Sequence, residues 1–267
     1  MVANSSAIRA MFEEGNRLAK IYGAENVFDF SLGNPNVPAP EEVKNAIIEL
    51  LNEEDPIALH GYTNSNAGYA DVREAVAQSL NERFGTEFEG KNIVMTVGAA
   101  GGLNVILKSL LNPADEVIVF APYFGEYRSY VSNYDGVLVE VSPDTETFQP
   151  KLAEFEEKIT AKTKAVIVNT PNNPTGVVYS EETIEKMAEI LEKKQKEFGT
   201  DIYLISDEPY RELAYDGVEV PYLTKYYANT IVGYFIFLMK ALFCFLGISP
   251  IFLGILLLDF EIGRAHV

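Results

Sequence analysis

The chain has 267 residues, of which 48% are hydrophobic and 22% charged, a composition typical of a globular protein. Its formal net charge of −18 disfavours binding to nucleic acid or to an anionic lipid surface. One cysteine and two histidines exclude an internal disulfide and disfavour a metal site built on thiolate or imidazole. The amino-terminal residues lack the apolar stretch of a signal peptide, so we predict a cytoplasmic protein.

The predicted elements alternate between helices and strands up to about residue 235. Apolar residues at helical spacing predict helices over 40–52 and 69–84. Compact apolar runs then predict strands at 93–97, 117–120, 137–141, 165–168 and 202–205. Further helices are expected at about 100–112, 124–134 and 180–198, the last with Ser180 as N-cap and Gly199 at its end.

This alternation predicts an α/β fold, a three-layer α/β/α domain with a mainly parallel sheet. Nearly continuous apolar strands are expected where helices cover both faces of a sheet. In such sheets ligands bind at the carboxyl ends of the strands, so the loops after the strands are the places to search for chemistry.

Residues 235–258 form a different kind of segment, in which Lys240 is the one charged residue. By length the segment is a candidate for a membrane span. Gly247, Pro250 and Gly254 interrupt it, however, and the preceding residues have the pattern of a soluble domain. We therefore expect no association with a membrane.

Two motifs follow successive predicted strands. Residues 170–176 (TPNNPTG) form a rigid turn whose prolines flank Asn173, and residues 206–210 (SDEPY) place Asp207 and Tyr210 at the end of the next strand. Taken alone, the first motif is equally an ordinary tight loop, and the acid of the second is equally a metal ligand or a helix cap. Their order on neighbouring strand ends is more specific than either motif.

In that order the two motifs resemble those of the class I/II aminotransferases, which belong to the fold type I superfamily of pyridoxal-phosphate enzymes. Further resemblances lie in Ser31–Pro35 (SLGNP), in His60–Tyr62 followed by Gly68-Tyr69, in Thr96–Gly102 (TVGAAGG) and in Ala121–Phe124 (APYF). Together these segments cover about residues 5–234. The resemblance implies transfer of an amino group from an L-amino acid to a 2-oxo acid. A carbon–sulfur lyase or an aminocyclopropane-carboxylate-synthase-like lyase of the same superfamily is the alternative.

The resemblance also implies roles in binding the cofactor, pyridoxal 5′-phosphate. Asp207 is expected beside the ring nitrogen, where a carboxylate favours the protonated form. Tyr210 and Asn173 are expected to donate to the ring's O3′, and Phe124 to cover the ring face. The phosphate is expected at the start of the helix after strand 93–97, where Gly98, Ala99, Ala100 and Gly101 permit close approach of the backbone.

Two further residues have implied roles that depend on other parts of the assembly. Gly33 is expected to offer its backbone N–H to the substrate carboxylate. Tyr62 is expected to reach the cofactor phosphate of the partner subunit, which implies a homodimer. The surface-loop alternative for Tyr62 stays open.

The resemblance fails near Tyr234, before the lysine that binds the cofactor covalently in this family. Lys240 is the candidate for that lysine, although the serines and the arginine expected around it are absent.

We expect residues 1–40 to be an amino-terminal arm and the start of a small domain, 41–234 an incomplete cofactor-binding domain, and 235–267 an aberrant tail. The C-terminal small domain is expected to be missing. A frameshift or assembly error is the favoured explanation of the tail, and a natural pseudo-enzyme with a hydrophobic anchor is the alternative. The corresponding functional alternative is a non-catalytic, cofactor-binding remnant. The frameshift predicts a tail without stable packing.

Overall fold

The computed structural model describes residues 7–30, 33, 38–62, 65–235 and 254–258. The strands in this part of the chain are β1 (Ile93–Thr96), β2 (Glu116–Phe120), β3 (Val137–Val141), β4 (Thr163–Asn169), β5 (Tyr203–Glu208), β6 (Thr230–Phe235) and β7 (Gly254–Leu258). The α-helices are α1 (Ala7–Tyr22), α2 (Glu41–Glu53), α3 (Ala70–Phe84), α4 (Gly98–Leu110), α5 (Tyr127–Ser132), α6 (Leu152–Lys158) and α7 (Glu181–Phe198). The chain divides into two compact units, Met1–Ala46 and Ile47–Val267.

The first unit contains α1, a short 3-10 helix over Ala24–Asn26 and the beginning of α2. Along α1, the half-buried residues Phe12, Gly15 and Leu18 recur every three positions, the spacing of one helix face. The sequence analysis did not predict α1.

The second unit contains a seven-stranded sheet in the order β1-β7-β6-β5-β4-β2-β3. Strands β2 to β6 pair in parallel, whereas β7 is antiparallel to both of its neighbours, β1 and β6. The prediction of a mainly parallel sheet is therefore confirmed. Because β7 is antiparallel to both neighbours, β1 runs in the same direction as β6.

Helices pack on both faces of this sheet. Along β4, Val166 and Val168 pack into a core with α6 and α7. Ala165 and Ile167 point the other way and pack into a second core with α4 and α5. A third cluster joins α3 to β1 and β6. These cores confirm the predicted three-layer α/β/α architecture.

Helix α7 begins and ends at the predicted residues. The Ser180 Oγ accepts a hydrogen bond of 3.1 Å from the backbone N–H of Thr183, which is the N-cap interaction. Gly199 follows the helix with φ of 65°, a left-handed conformation that glycine adopts without steric penalty.

Other predicted boundaries need correction. The strand predicted at 202–205 continues to Glu208, because the backbone of Asp207 and Glu208 pairs with β6. The helix predicted at 124–134 is only Tyr127–Ser132, so Phe124 lies in the turn before it. Helix α6 was not predicted.

The expectation of a tail without stable packing is wrong at β7. Residues Gly254–Leu258 pair with β1 on one side and β6 on the other. A short apolar run is sufficient here, because its backbone donors and acceptors satisfy the facing edges of two strands. The candidate lysine, Lys240, lies outside the described residues. Within the described ranges, none of the helices has both the length and the apolar character needed to cross a bilayer.

Candidate active site

The candidate site lies at one edge of the sheet in the second unit. Strands β1, β2, β4, β5 and β6 run in the same direction, so their carboxyl ends meet at this edge. Asn169 ends β4, Asp207 lies one residue before the end of β5, and Thr96 ends β1 before α4. The peptide bonds before Pro122, Pro171 and Pro174 at this edge are cis.

Asp207 is a buried charged side chain of the site. It is 5% exposed, and its Oδ2 accepts a hydrogen bond of 2.5 Å from the Tyr127 hydroxyl. Its second oxygen, Oδ1, is buried without a hydrogen-bond partner in the described part of the chain. Because a buried carboxylate oxygen strongly favours a donor, this atom marks a position where a ligand N–H fits.

Burial raises the pKa of Asp207 to about 6, and the charge of Glu208 acts in the same direction. The hydrogen bond from Tyr127 acts in the opposite direction and favours the ionised form. Burial and the neighbouring carboxylate raise the pKa of Tyr127 well above its ordinary value. At neutral pH the pair is therefore a carboxylate with a phenol that stays protonated and donates to it.

Asn173 and Tyr210 are in direct contact. The Asn173 Nδ2 donates to the Tyr210 hydroxyl oxygen over 3.1 Å. Since that oxygen already accepts, the Tyr210 proton is available to another acceptor. Burial raises the pKa of Tyr210, which keeps the phenol protonated. The two side chains that the sequence analysis expected to act as a pair are thus in direct contact.

Asn169 connects these groups, although the sequence analysis did not identify it. Its Oδ1 accepts a 2.6 Å hydrogen bond from the backbone N–H of Asn173, and its Nδ2 donates to the backbone oxygen of Asp207 over 2.8 Å. The side chain is 5% exposed. A polar residue at the end of an otherwise apolar strand was the available signal.

Residues Gly98, Ala99, Ala100 and Gly101 form the first turn of α4. Val97, the N-cap residue, makes no side-chain cap, and the first N–H groups of a helix have no partners within it. Gly98 has φ of 69°, a left-handed conformation that favours glycine. This turn therefore offers backbone donors at the positive end of a helix dipole, an arrangement that suits an anion.

Phe124 packs against Tyr127 at this edge, with ring centroids 5.6 Å apart and an interplanar angle of 81°. Tyr123 has other partners: its hydroxyl donates to Glu140 Oε1 over 2.6 Å and accepts from Arg128. Tyr127 was missed by the sequence analysis. It stands in no motif, so the sequence offered no signal for its contact with Asp207.

For three predicted site residues, the described contacts do not test the expected role. Tyr62 is fully exposed, and residues 63 and 64 after it are outside the described ranges. Gly33 is an exposed residue of the first compact unit. Lys240 is not described. Their proposed roles rest on the sequence resemblance.

Comparisons with known proteins show the family to which this chain is similar. The family described as Aminotransferase class I and II matches residues 25–234. A probable aspartate/prephenate aminotransferase of Thermus aquaticus is 39% identical over 188 residues, which are 69% of this chain and 46% of that protein. A similar protein of Aquifex aeolicus is 36% identical over 193 residues, 71% of this chain and 46% of the relative.

Two solved structures extend the similarity to the fold. An amino transferase of Eubacterium rectale has a TM-score of 0.86 and 48% identity, covering 94% of this chain and 62% of that one. The aspartate aminotransferase of Thermus thermophilus with maleate has a TM-score of 0.81 and 29% identity, covering 96% and 62%. The chain thus spans about half the length of the curated relatives it matches.

Proposed function

The chain belongs to the class I and II aminotransferase family, whose members use pyridoxal phosphate, and we propose that it forms the cofactor-binding part of an aminotransferase. The proposed reaction moves an amino group from an L-amino acid to a 2-oxo acid. The names of the relatives make aspartate the first amino acid to test as donor. Those names describe transferases, so they favour transfer over the lyase alternative.

The observation that carries this proposal is the unpartnered Oδ1 of Asp207. When bound, pyridoxal phosphate stabilises a carbanion at the substrate α-carbon, most effectively with its ring nitrogen protonated. Oδ1 would accept the hydrogen bond of that N–H, and the carboxylate would hold the proton there. Tyr127 supports this role by occupying Oδ2, which keeps the carboxylate oriented.

The remaining residues of the edge suit the other parts of the cofactor. Tyr210 and Asn173 would donate to O3′, because the two are in contact and the Tyr210 proton is available. The first turn of α4 would hold the phosphate through backbone N–H groups of Ala99, Ala100 and Gly101. Phe124 would limit access of water to one face of the ring.

Three elements of the proposal lie beyond these contacts. Gly33 would bind the substrate carboxylate, and Tyr62 would contact the cofactor of a partner subunit in a homodimer, a role that its full exposure in the isolated chain permits. Lys240 would bind the cofactor covalently. We propose a cytoplasmic protein that acts on small molecules without nucleic acid or membrane as partner.

Titration of the chain with pyridoxal phosphate tests the cofactor site. We expect saturable binding, and Asp207→Asn should weaken it by about tenfold or more, which corresponds to about 1.4 kcal/mol. Asp201→Asn is the matched control, because Asp201 is an exposed acid just before the start of the same strand. Equal affinity of Asp207→Asn and the unchanged chain would contradict the assignment of Asp207.

A second experiment tests the covalent attachment. After incubation with pyridoxal phosphate and chemical reduction, intact-mass measurement should show one added cofactor, and Lys240→Ala should remove it. Lys225→Ala, which changes an exposed lysine of the described chain, is the control. The same adduct on the Lys240→Ala chain would exclude Lys240.

Transfer itself is tested with aspartate as donor and 2-oxoglutarate as acceptor, by following the formation of glutamate. Cleavage of the substrate without glutamate formation would favour the lyase alternative. Cofactor binding without any turnover would favour the non-catalytic alternative.

A further inference from the structure

A buried ion pair lies on the opposite side of β5 from the carboxylate of Asp207. Glu208 and Arg211 are 2% and 8% exposed, and the Arg211 Nε donates to Glu208 Oε2. The Ser206 hydroxyl donates to the other carboxylate oxygen over 2.7 Å. Because successive side chains of a strand point to opposite faces, Ser206 and Glu208 point away from the face that Asp207 shares with Tyr127.

Arg211 also ties this carboxylate to distant parts of the unit. Its Nη1 donates to the backbone oxygen of Val220 over 2.6 Å, and its Nη2 to that of Pro221 over 2.8 Å. The guanidinium carbon lies 5.2 Å from the ring centroid of Phe84 and 5.1 Å from that of Tyr222. Those two rings stack on each other with centroids 4.3 Å apart. The side chain therefore joins the end of β5 to the end of α3 and to the loop before β6.

The stability of the fold does not by itself explain the buried Glu208–Arg211 ion pair. A buried ion pair contributes little net stability compared with apolar residues of similar volume, because both charges lose their hydration. What a fully hydrogen-bonded network does provide is a single, well-defined geometry. The two charged residues bracket Pro209 and Tyr210, and Asp207 immediately precedes them.

We propose that the Glu208–Arg211 pair is a positioning latch that fixes the backbone between Asp207 and Tyr210, so that both side chains keep their places at the site edge. In the described chain, Glu208 and Arg211 form no hydrogen bond with the side chains of Tyr127 or Tyr210. Burial, and to a lesser degree the charge of Glu208, raises the pKa of Asp207. Apart from that charge, the pair acts through the backbone of its neighbours. The part of this inference that concerns cofactor affinity rests on the proposed function; the part that concerns the backbone does not.

The test uses the double variant Glu208→Gln/Arg211→Met. Removing both charges together leaves no unpaired buried charge, so the chain is expected to fold. Tyr227→Phe is the matched control, since it removes a buried 2.7 Å hydrogen bond to the backbone oxygen of Ile202, just before the other end of β5. Hydrogen exchange of the cofactor-free chain and affinity for pyridoxal phosphate are measured for all three chains.

In the double variant, we expect exchange over residues 207–213 to become about tenfold faster. Pyridoxal phosphate should bind about tenfold more weakly. The control should change neither quantity, even where it lowers the melting temperature.

Unchanged exchange over 207–213 overturns the latch, whatever the affinity. Faster exchange with full affinity overturns its role in positioning the site. If the unchanged chain fails to bind the cofactor, the proposed function falls, and the exchange measurement still decides whether the pair fixes this backbone.

Discussion

A carboxylate that is 5% exposed, as Asp207 is, loses most of its hydration when the chain folds. One hydrogen bond, from Tyr127, compensates for part of that loss, and Oδ1 receives none in the described chain. The residue is therefore unfavourable for folding in the absence of a ligand. A strained or destabilised polar group of this kind is typical of binding sites, where the ligand supplies the missing interaction.

The first prediction concerns the stability of the cofactor-free chain. The pKa of Asp207 is about 6 in the folded chain and about 3.9 in an unfolded chain. Between these values the folded chain binds more protons, so the free energy of unfolding falls as the pH rises, and it stays lower above pH 6. Asp207→Asn should remove this loss, which amounts to about 2 to 3 kcal/mol at pH 7.5.

Urea unfolding at pH 4 and pH 7.5, followed by circular dichroism, checks this prediction. The difference between the two chains is the quantity of interest, because other carboxylates titrate equally in both. Parallel pH dependences of the two chains would show that Asp207 does not titrate as described.

The second prediction concerns Tyr127. Tyr127→Phe removes the hydrogen bond that lowers the pKa of Asp207, so that pKa should rise above 6. Binding of pyridoxal phosphate at pH 7 should weaken, and the acidic limb of its pH profile should shift to higher pH. The loss of a hydrogen bond to a buried charge also destabilises the chain by about 1 to 3 kcal/mol.

Tyr130→Phe is the control, because Tyr130 lies on the same helix and its hydroxyl is not bonded to Asp207 in the described chain. An unshifted profile for Tyr127→Phe would count against this coupling.

At the scale of elements, the sequence predicts best where local signals and burial agree. Helix α7 has Ser180, a regular apolar face and Gly199, and both of its ends were predicted. The apolar strands β2 and β4 were also found. The end of β5 was placed too early because Asp207 and Glu208 are polar, and pairing of Asp207 with β4 and of both residues with β6 keeps them in the strand. The end of β5 therefore depends on tertiary contacts, which the sequence pattern does not show.

The residues of the candidate site were also predicted only in part. Asn173, Asp207 and Tyr210 stand in recognisable motifs, and the structure brings Asn173 and Tyr210 into contact. Asn169 and Tyr127 have no motif of their own. Their roles come from distances between elements that are far apart in sequence, as in the bond of Tyr127 to Asp207. Such contacts leave no periodic signal.

The third prediction concerns the first turn of α4. Gly98→Ala places a side chain at φ of 69°, which should destabilise the chain by about 1 to 2 kcal/mol and reorient the N–H groups of the turn. Gly101→Ala is the matched control. Its added Cβ would lie 3.5 Å from Val97 Cβ, an ordinary contact, and alanine favours the helix by about 0.5 to 1 kcal/mol. Urea unfolding of the cofactor-free chains should therefore shift in opposite directions, and a shift in the same direction would contradict the conformational argument.

For the whole molecule, β7 determines whether the sheet is continuous. It lies between β1 and β6 and pairs with both, so β1 depends on it for its place in the sheet. The remaining strands, β6-β5-β4-β2-β3, pair in parallel without it. Loss of β7 would leave two unpaired edges in the middle of the sheet.

The fourth prediction follows from that position. Leu256 pairs with Val94 on one side and Gly233 on the other. Leu256→Pro removes a backbone donor from a strand with neighbours on both sides, which proline does not tolerate. We expect faster hydrogen exchange in β1 and β6 and a lower soluble yield, whereas Leu256→Val should resemble the unchanged chain. Full protection of β1 in the proline variant would show that β7 does not hold the two strands together.

The pairing of β1 with β7 also sets an order of events during synthesis on the ribosome. In the nascent chain, strand β1, which precedes α4 and pairs Ile93 with Leu257 of β7, has no partner strand until β7 has been translated. Strands β2, β4 and β5 can pair with one another as soon as they emerge. Exposed strand edges of this kind bind other chains readily. Nascent chains are therefore expected to be most prone to aggregation before β7 is translated.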